Sequence, residues 1–201
     1  METIFYIIIL LFSVVIHEVT HGLVADKLGD PTARLAGRLT LNPIKHIDLF
    51  GSIILPLTMA ILPGGFIFGW AKPVPFNPYH LKHPERDAAL IAIAGPISNF
   101  LVAGVFGVLI KIGEAAAIPL IAGALPLFAA IVWINIILAV FNLVPIPPLD
   151  GSKVLFALLP RSADTFKMLL EQYGFILLLF FIFFGFQVIT PLMRILYEFL
   201  V

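Results

Sequence analysis

Long apolar runs alternate with short polar segments along this chain. Four predominantly apolar runs cover about residues 4–24, 88–110, 127–144 and 172–193. Because roughly 20 apolar residues cross the hydrocarbon core of a bilayer, each run predicts a membrane-spanning helix. A fifth uncharged run, 50–70, contains Pro56 and the sequence Pro63-Gly64-Gly65, which interrupt regular helix.

The Lys and Arg residues indicate how the fifth run lies in the membrane. If 50–70 enters the membrane and returns, ten of the twelve basic residues share one side, and only Lys111 and Arg194 lie on the other. If 50–70 crosses fully, the twelve divide six and six. Basic residues concentrate on the cytoplasmic side, so the pattern favours the first arrangement. We therefore predict an all-α polytopic membrane protein with four full spans, a re-entrant membrane hairpin and both termini outside.

The first run is expected to be a span of the mature protein. A secretory signal peptide would begin with Lys or Arg and end at a small-residue cleavage site. Here the run follows Glu2 and continues directly into His17-Glu18. Ionisable residues inside an apolar span are costly, so these two indicate function.

The composition agrees with a membrane protein and excludes several other classes. Hydrophobic residues make up 61% of the chain and charged residues 12%, so a soluble monomer would expose large apolar patches. Twelve basic and twelve acidic residues balance, which argues against a nucleic-acid partner. The absence of cysteine excludes disulfides, iron–sulfur clusters and thiolate zinc sites. A bound metal must therefore be held by histidine and carboxylate side chains.

An H-E-x-x-H motif, His17-Glu18-Val19-Thr20-His21, lies in the first span. On a helix, positions four apart share one face, so both imidazoles can reach one zinc ion. Glu18 points about 100 degrees away from His17 and can reach a water on that metal as its general base. The alternative is a chance occurrence of the motif. Two histidines and a glutamate inside an otherwise apolar span favour metal binding.

Two histidines leave the coordination incomplete, because a catalytic zinc usually takes three protein ligands and one water. The candidates for the third ligand are Asp150, His46, Asp48, His80, His83 and Asp87. Asp150 follows the third span, which ends on the side nearest the motif. The prolines of Pro145-Ile146-Pro147-Pro148 stop regular helix before Asp150, so its carboxylate is free to face a cavity. The sequence favours Asp150, and its alternative role is a helix N-cap before Ser152.

These motifs resemble those of the site-2 protease family of intramembrane zinc metalloproteases. The resemblance rests on the H-E-x-x-H motif and on Asn142 followed by Pro145-Ile146-Pro147-Pro148-Leu149-Asp150-Gly151. Supporting stretches are Asn42-Pro43-Ile44-Lys45-His46-Ile47-Asp48, Gly69-Trp70-Ala71-Lys72-Pro73-Val74-Pro75 and Ala94-Gly95-Pro96-Ile97-Ser98-Asn99. The match extends from residue 17 to residue 151, which covers the catalytic core of the family.

The resemblance implies a role for each matching residue. His17, His21 and Asp150 would bind one zinc ion per chain, and Glu18 would be the catalytic base. Three further residues would line the substrate path near the scissile carbonyl: Asn142, Gly95 and Asn99. In that family a polar loop and a membrane hairpin often present a strand edge to the substrate, which here corresponds to residues 34–41 and 66–70.

The resemblance also shapes the expected organisation and partners. Residues 1–201 are interpreted as one membrane metalloprotease domain, with a catalytic core at about 4–151 and a C-terminal helical segment at 152–201. Many relatives carry an added PDZ or CBS module, which these residues do not include. The expected substrate is a single-pass transmembrane protein, cleaved in or near its transmembrane helix. The other expected partner is membrane lipid. The positive-rich side places the active site towards the cytosol.

Some interpretations stay open from the residues alone. His46 and Asp48 could orient a metal-binding histidine from outside the coordination sphere, or they could form an interfacial polar turn begun by Asn42-Pro43. The whole site could also serve a zinc or cation transporter without hydrolysis, or a structural protein that has lost catalysis. Glu18 favours hydrolysis, because carriage or assembly does not need a general base.

Overall fold

The computed structural model describes residues 2–54, 58, 71–115 and 119–201, and the described part is helical. The main helices are α1 (Glu2–Leu28), α2 (Pro84–Ala115), α3 (Pro119–Asn142), α4 (Asp150–Leu158), α5 (Asp164–Phe180) and α6 (Phe186–Leu200). Short helical turns occur at Thr32–Leu35, Pro43–His46, Pro78–His80 and Arg161–Ala163. Leu49–Ile54 and Phe181–Gly185 are π-helical.

Four helical segments are long and apolar enough to cross a membrane. They are Ile4–Leu28, Pro84–Ala115, Gly123–Asn142 and Asp164–Leu200. The last one joins α5 and α6 through the π-helical turn. Large hydrophobic side chains along these segments are exposed, which suits contact with lipid. The four predicted full spans are therefore confirmed as membrane-spanning candidates.

Helix α2 packs against α1, α3, α4 and α6. It runs antiparallel to α1, because Ala25 late in α1 packs against Ile91 early in α2, while Ser13 earlier in α1 accepts a hydrogen bond from Asn99 later in α2. Residues 29–83 therefore begin and end on the same side of the bundle. The expected hairpin falls largely on residues 55–57 and 59–70, which lie outside the described residues.

The strand expected at residues 34–41 is not found. The chain instead forms the helical turn Thr32–Leu35, and Gly37 then adopts a left-handed conformation with a φ of 63°. The amide of Arg38 donates to the carbonyl of Ala33, which closes this turn. Local hydrogen bonds thus use backbone groups that a strand would offer to a neighbour. The other expected strand, 66–70, lies outside the described residues.

A proline-rich turn between α3 and α4 brings Asp150 back towards α1. The turn folds tightly, since a side chain at Gly151 would lie 2.2 Å from the carbonyl oxygen of Leu143. Helix α5 packs closely on the same turn, because a Cβ at Gly174 would lie 2.7 Å from Pro147. Two glycines thus permit the close approaches that hold the start of α4 in place.

Candidate metal centre

His17, His21 and Asp150 meet between α1 and the start of α4. The two imidazole rings lie edge to face, with their centroids 4.6 Å apart. The Oδ2 atom of Asp150 lies 3.1 Å from Nε2 of His17 and 3.3 Å from Nε2 of His21. The ligand atoms of all three residues lie within 4.8 Å of one another. Helix α4 begins at Asp150, and Leu149 is its N-cap residue. The alternative prediction, that Asp150 is the N-cap, is therefore wrong.

The spacing of these atoms fits a zinc ion. Bonds of about 2.0–2.1 Å to a tetrahedral zinc separate neighbouring ligand atoms by roughly 3.3–3.4 Å. The two distances from Asp150 Oδ2 are close to that value. This oxygen is buried and has no hydrogen-bond partner. A buried, unpaired carboxylate oxygen is costly unless a cation compensates it.

The other ring nitrogens of the two histidines are already engaged. Nδ1 of His21 lies 2.7 Å from the carbonyl oxygen of Ile91, which can only accept, so Nδ1 carries the proton. Nδ1 of His17 lies 2.6 Å from Oδ1 of Asn99. In neutral imidazoles both Nε2 atoms then present lone pairs to the carboxylate of Asp150. Three acceptors that face one another repel, and a metal cation between them would remove this repulsion.

Glu18 lies on the same cavity and is held by a neighbouring backbone amide. Its Oε2 accepts a hydrogen bond of 2.8 Å from the amide of Val74. Prolines flank Val74, so its amide is the one donor within the three residues 73–75. The carbonyl of Lys72 accepts a 2.6 Å bond from the guanidinium of Arg38, which helps to anchor this segment.

The metal centre opens into a cavity of about 250 Å³. Asn142 and Lys153 also line it, together with His17, Glu18 and His21. Nδ2 of Asn142 donates 2.9 Å to the carbonyl of Leu138. Because the amide nitrogen has two protons, Asn142 can make this bond and still present a proton to the cavity.

Gly95 and Asn99 were predicted to contact substrate, but neither lines the cavity. Asn99 is fully buried and bonds to His17 instead. Gly95 faces the metal-binding side chains, since a Cβ there would lie 2.5 Å from Nε2 of His21. Both residues lie against the metal-binding histidines, and their contact with a substrate stays a prediction.

The hydrogen bonds of His46 and Asp48 go to groups other than the histidines of the motif, and their places fit the polar turn. His46 is buried, its Nε2 lies 2.9 Å from the carbonyl of Thr40, and its own carbonyl accepts a bond from Lys72. Oδ1 of Asp48 accepts a 2.7 Å bond from the amide of Gly51. The role of His46 and Asp48 in orienting a ligand is therefore not supported, although His46 helps to hold the segment that leads to Val74.

The remaining ligand candidates have other partners. Nδ1 of His80 lies 2.8 Å from Oδ1 of the buried Asp30, outside the spans. Burial raises the pKa of Asp30, but bonds from Thr32, His80 and the amide of Asn77 outweigh it and lower the pKa to about 2. Asp87 accepts a 2.9 Å bond from the amide of His83 at the start of α2.

Sequence reasoning missed several residues of this region. Lys153 was counted only as a topology charge, although it lies one helical turn after Asp150. Asn135 was not singled out, although it is a buried amide in a long apolar span. Polarity inside an apolar run was the signal for Asn135. The stretch 69–75 supported the resemblance, but its side chains gave no sign of a role for Val74, because the backbone amide is the group involved.

The chain matches a known peptidase family over most of its length. Peptidase family M50 matches residues 5–118 and 107–181. The chain is 39% identical to YwhC of Bacillus subtilis over 196 residues, which cover 94% of this chain and 86% of that protein. It is 28% identical to Rip2 of Mycolicibacterium smegmatis (83% and 62% covered) and 26% identical to MJ0392 of Methanocaldococcus jannaschii (80% and 36% covered). All three names describe zinc metalloproteases. No solved structure matches.

Proposed function

The chain belongs to peptidase family M50, the family of the site-2 proteases, and from this membership we propose that it hydrolyses a peptide bond within or near the transmembrane helix of a membrane-protein substrate. The membership and the four spans make it a multi-pass membrane zinc metalloprotease. The proposal adds the class of substrate, the residues that bind zinc and act on the substrate, and the side of the membrane on which the site lies.

We assign one zinc ion per chain to His17, His21 and Asp150. The observation that carries this assignment is the convergence of both Nε2 atoms on the buried, unpaired Oδ2 of Asp150. Zinc in such a set polarises a peptide carbonyl and lowers the pKa of water. The protein supplies the rest of the chemistry with its own side chains.

Glu18 is the general base in this proposal. With Oε2 held by the amide of Val74, Oε1 is the atom that takes the proton from the attacking water. That proton then passes to the leaving amine, as a general base must return it in amide hydrolysis. Asn142, on the cavity wall, keeps one amide proton and Oδ1 to bind the unwound backbone of the substrate.

The position of the site suits a substrate that enters from the bilayer. His17 lies about 20 Å along the first span from residue 4, so the site lies within the membrane near one surface. A peptide bond in a transmembrane helix is hydrogen-bonded and shielded from water, and must unwind before it can be attacked. A single-pass helix can reach such a site laterally, and we place the site on the cytosolic side, where the basic residues concentrate.

Residues 1–201 act as one catalytic domain in this proposal. The segment 152–201 is not separate from the core at 4–151, since Gly174 in α5 contacts the turn that carries Asp150. We also propose that 50–70 forms the re-entrant hairpin, because residues 29–83 begin and end on one side of the bundle.

The test compares wild type with Glu18→Gln on a panel of single-pass membrane proteins in reconstituted vesicles. Removing the base should lower the cleavage rate by about 10²–10⁴-fold while zinc content stays at one ion per chain. Glu114→Gln, at the exposed far end of α2, is the matched control and should cleave at the wild-type rate. Equal cleavage by Glu18→Gln, or zinc flux across the vesicles without cleavage, would contradict the proposal.

A further inference from the structure

A chain of buried polar side chains leads from His17 into the interior of the bundle. It connects three spanning helices through Ser13 in α1, Asn99 in α2 and Asn135 in α3. Ser13 is 4% exposed, and both asparagines are fully buried. Polar groups at this depth find no water, so each of their hydrogen bonds has a protein partner.

Two backbone carbonyls set the direction of the hydrogen bonds in this chain. Nδ2 of Asn135 lies 2.9 Å from the carbonyl of Ile131 and 2.9 Å from Oγ of Ser13. Because a carbonyl can only accept, this atom is the amide nitrogen, and Oδ1 of Asn135 points towards Asn99.

The same argument fixes the orientation of the side-chain amide of Asn99. Its Nδ2 lies 2.9 Å from Oδ1 of Asn135 and 3.3 Å from the carbonyl of Ser13. Both partners only accept, so the amide nitrogen of Asn99 must face them. Its oxygen is then left to face Nδ1 of His17, at 2.6 Å. An oxygen at that position requires a proton on Nδ1 and leaves the lone pair on Nε2.

We propose that Asn135 is a positioning residue of the metal centre: it fixes the amide of Asn99, which in turn holds His17 with Nε2 free to bind the metal. This inference rests on the proposed assignment of His17 as a zinc ligand. Asn135 touches neither the metal site nor the cavity, and acts through Asn99 alone. For His21, the backbone carbonyl of Ile91 holds the proton on Nδ1 directly, without an intervening side chain.

Metal binding by His17 depends on Asn135 because the side-chain amide of Asn99 can rotate by 180 degrees. Without the acceptor on Asn135, only the longer 3.3 Å bond to the carbonyl of Ser13 holds Nδ2 of Asn99 in place. In the rotated form Asn99 donates to Nδ1 of His17, and the imidazole proton moves to Nε2. That tautomer cannot bind a metal through Nε2 until it is converted back.

The test measures zinc affinity and the His17 tautomer in Asn135→Leu, purified in detergent. Competition with a chelator should show affinity about tenfold weaker, at the lower end of the effect of outer-shell changes. Nitrogen NMR of the metal-free protein at pH 8, with His17→Ala used to identify the signals, should show the proton on Nδ1 in wild type and its partial loss in Asn135→Leu. In Asn135→Asp, a protonated carboxyl can donate to the carbonyl of Ile131 and keep its other oxygen towards Asn99, so this variant should retain both wild-type values.

Val132→Ala is the matched control, because Val132 is fully buried in the same helix, outside the polar chain. It should lower thermal stability without changing zinc affinity or the tautomer. If Asn135→Leu does not fold, Asn135→Ala removes the same acceptor without added bulk. Wild-type affinity and tautomer in that variant would overturn the inference and leave Asn135 as interhelical packing. Zinc retention in His17→Ala would instead overturn the proposed ligand set, so the two failures are distinguishable.

Discussion

At residue 95 two imidazole rings occupy the space in which a side chain would lie. A Cβ built on Gly95 would be 2.5 Å from Nε2 of His21 and 2.6 Å from Cε1 of His17. Real Cβ atoms do not approach other atoms so closely, and neither ring can withdraw without losing its Nδ1 partner. Glycine at this position therefore lets α2 pack directly against the metal-binding face of α1.

The first prediction is that Gly95→Ala displaces both histidines from their positions beside Asp150. Zinc affinity, measured by chelator competition, should fall by at least the roughly 10–100-fold that outer-shell changes cause. Gly104→Ala is the control, since a Cβ there meets nothing within 4 Å in the same helix. It should keep zinc and gain about 0.5–1 kcal/mol of helix stability. Unchanged affinity in Gly95→Ala would mean that the two helices pack more loosely here.

Between elements, Asp30 joins the end of α1 to the turn Pro78–His80 that precedes α2. Its carboxylate accepts bonds from the amide of Asn77 at 2.6 Å, from the amide of Thr32 at 3.0 Å and from the hydroxyl of Thr32, besides its contact with His80. These donors lie near the two ends of the segment 29–83, with Thr32 near its start and Asn77 and His80 near its end. One buried carboxylate thus closes the two ends of this segment against each other.

The second prediction concerns acid stability. The folded pKa of Asp30, about 2, lies below its ordinary value of 3.8, so its stabilisation is fully present above about pH 4. It is lost as the pH falls through about 2, and amounts to about 2 kcal/mol. Denaturant unfolding of metal-free wild type and Asp30→Asn should differ most above pH 4, and the difference should shrink on acidification. The metal-free state keeps zinc loss out of the comparison. A difference that does not change between pH 7 and pH 3 would contradict this role of Asp30.

For the whole molecule, the antiparallel packing of α1 and α2 restricts the topology. The end of α1 and the start of α2 lie on one side, and the pairing of Phe106 with Phe128 makes α3 antiparallel to α2. Asp150 thereby returns to the side on which α1 ends. In the proposed topology, the ten basic residues of the sequence pattern fall on that same side.

The third prediction is that exposed positions on the two sides label differently in intact cells. Because the natural chain has no cysteine, single substitutions report cleanly. Lys45→Cys, Lys82→Cys and Ser162→Cys should react with an impermeant thiol reagent only after permeabilisation. Glu114→Cys and Glu198→Cys should react without it. If Lys82→Cys labelled together with Glu114→Cys, the run 50–70 would cross the membrane and the hairpin would be wrong.

The sequence by itself determined the spans and the core of the metal site. Hydropathy over about 20 residues decides whether a helix can cross the bilayer, and this property belongs to each segment alone. The spacing of His17 and His21 is equally local, because the helix turn places them on one face. Asp150 was predictable because prolines and span direction restrict where it can lie.

Only the tertiary structure decided what the other polar residues do. Asn99 is 82 positions from His17, and only the packing of α1 against α2 brings its amide to the imidazole ring. The same packing places Gly95 against both imidazole rings, and His46 lies in a helical turn. The partner of a polar group inside a membrane is set by which helix faces pack together, and no pattern within one helix contains that information.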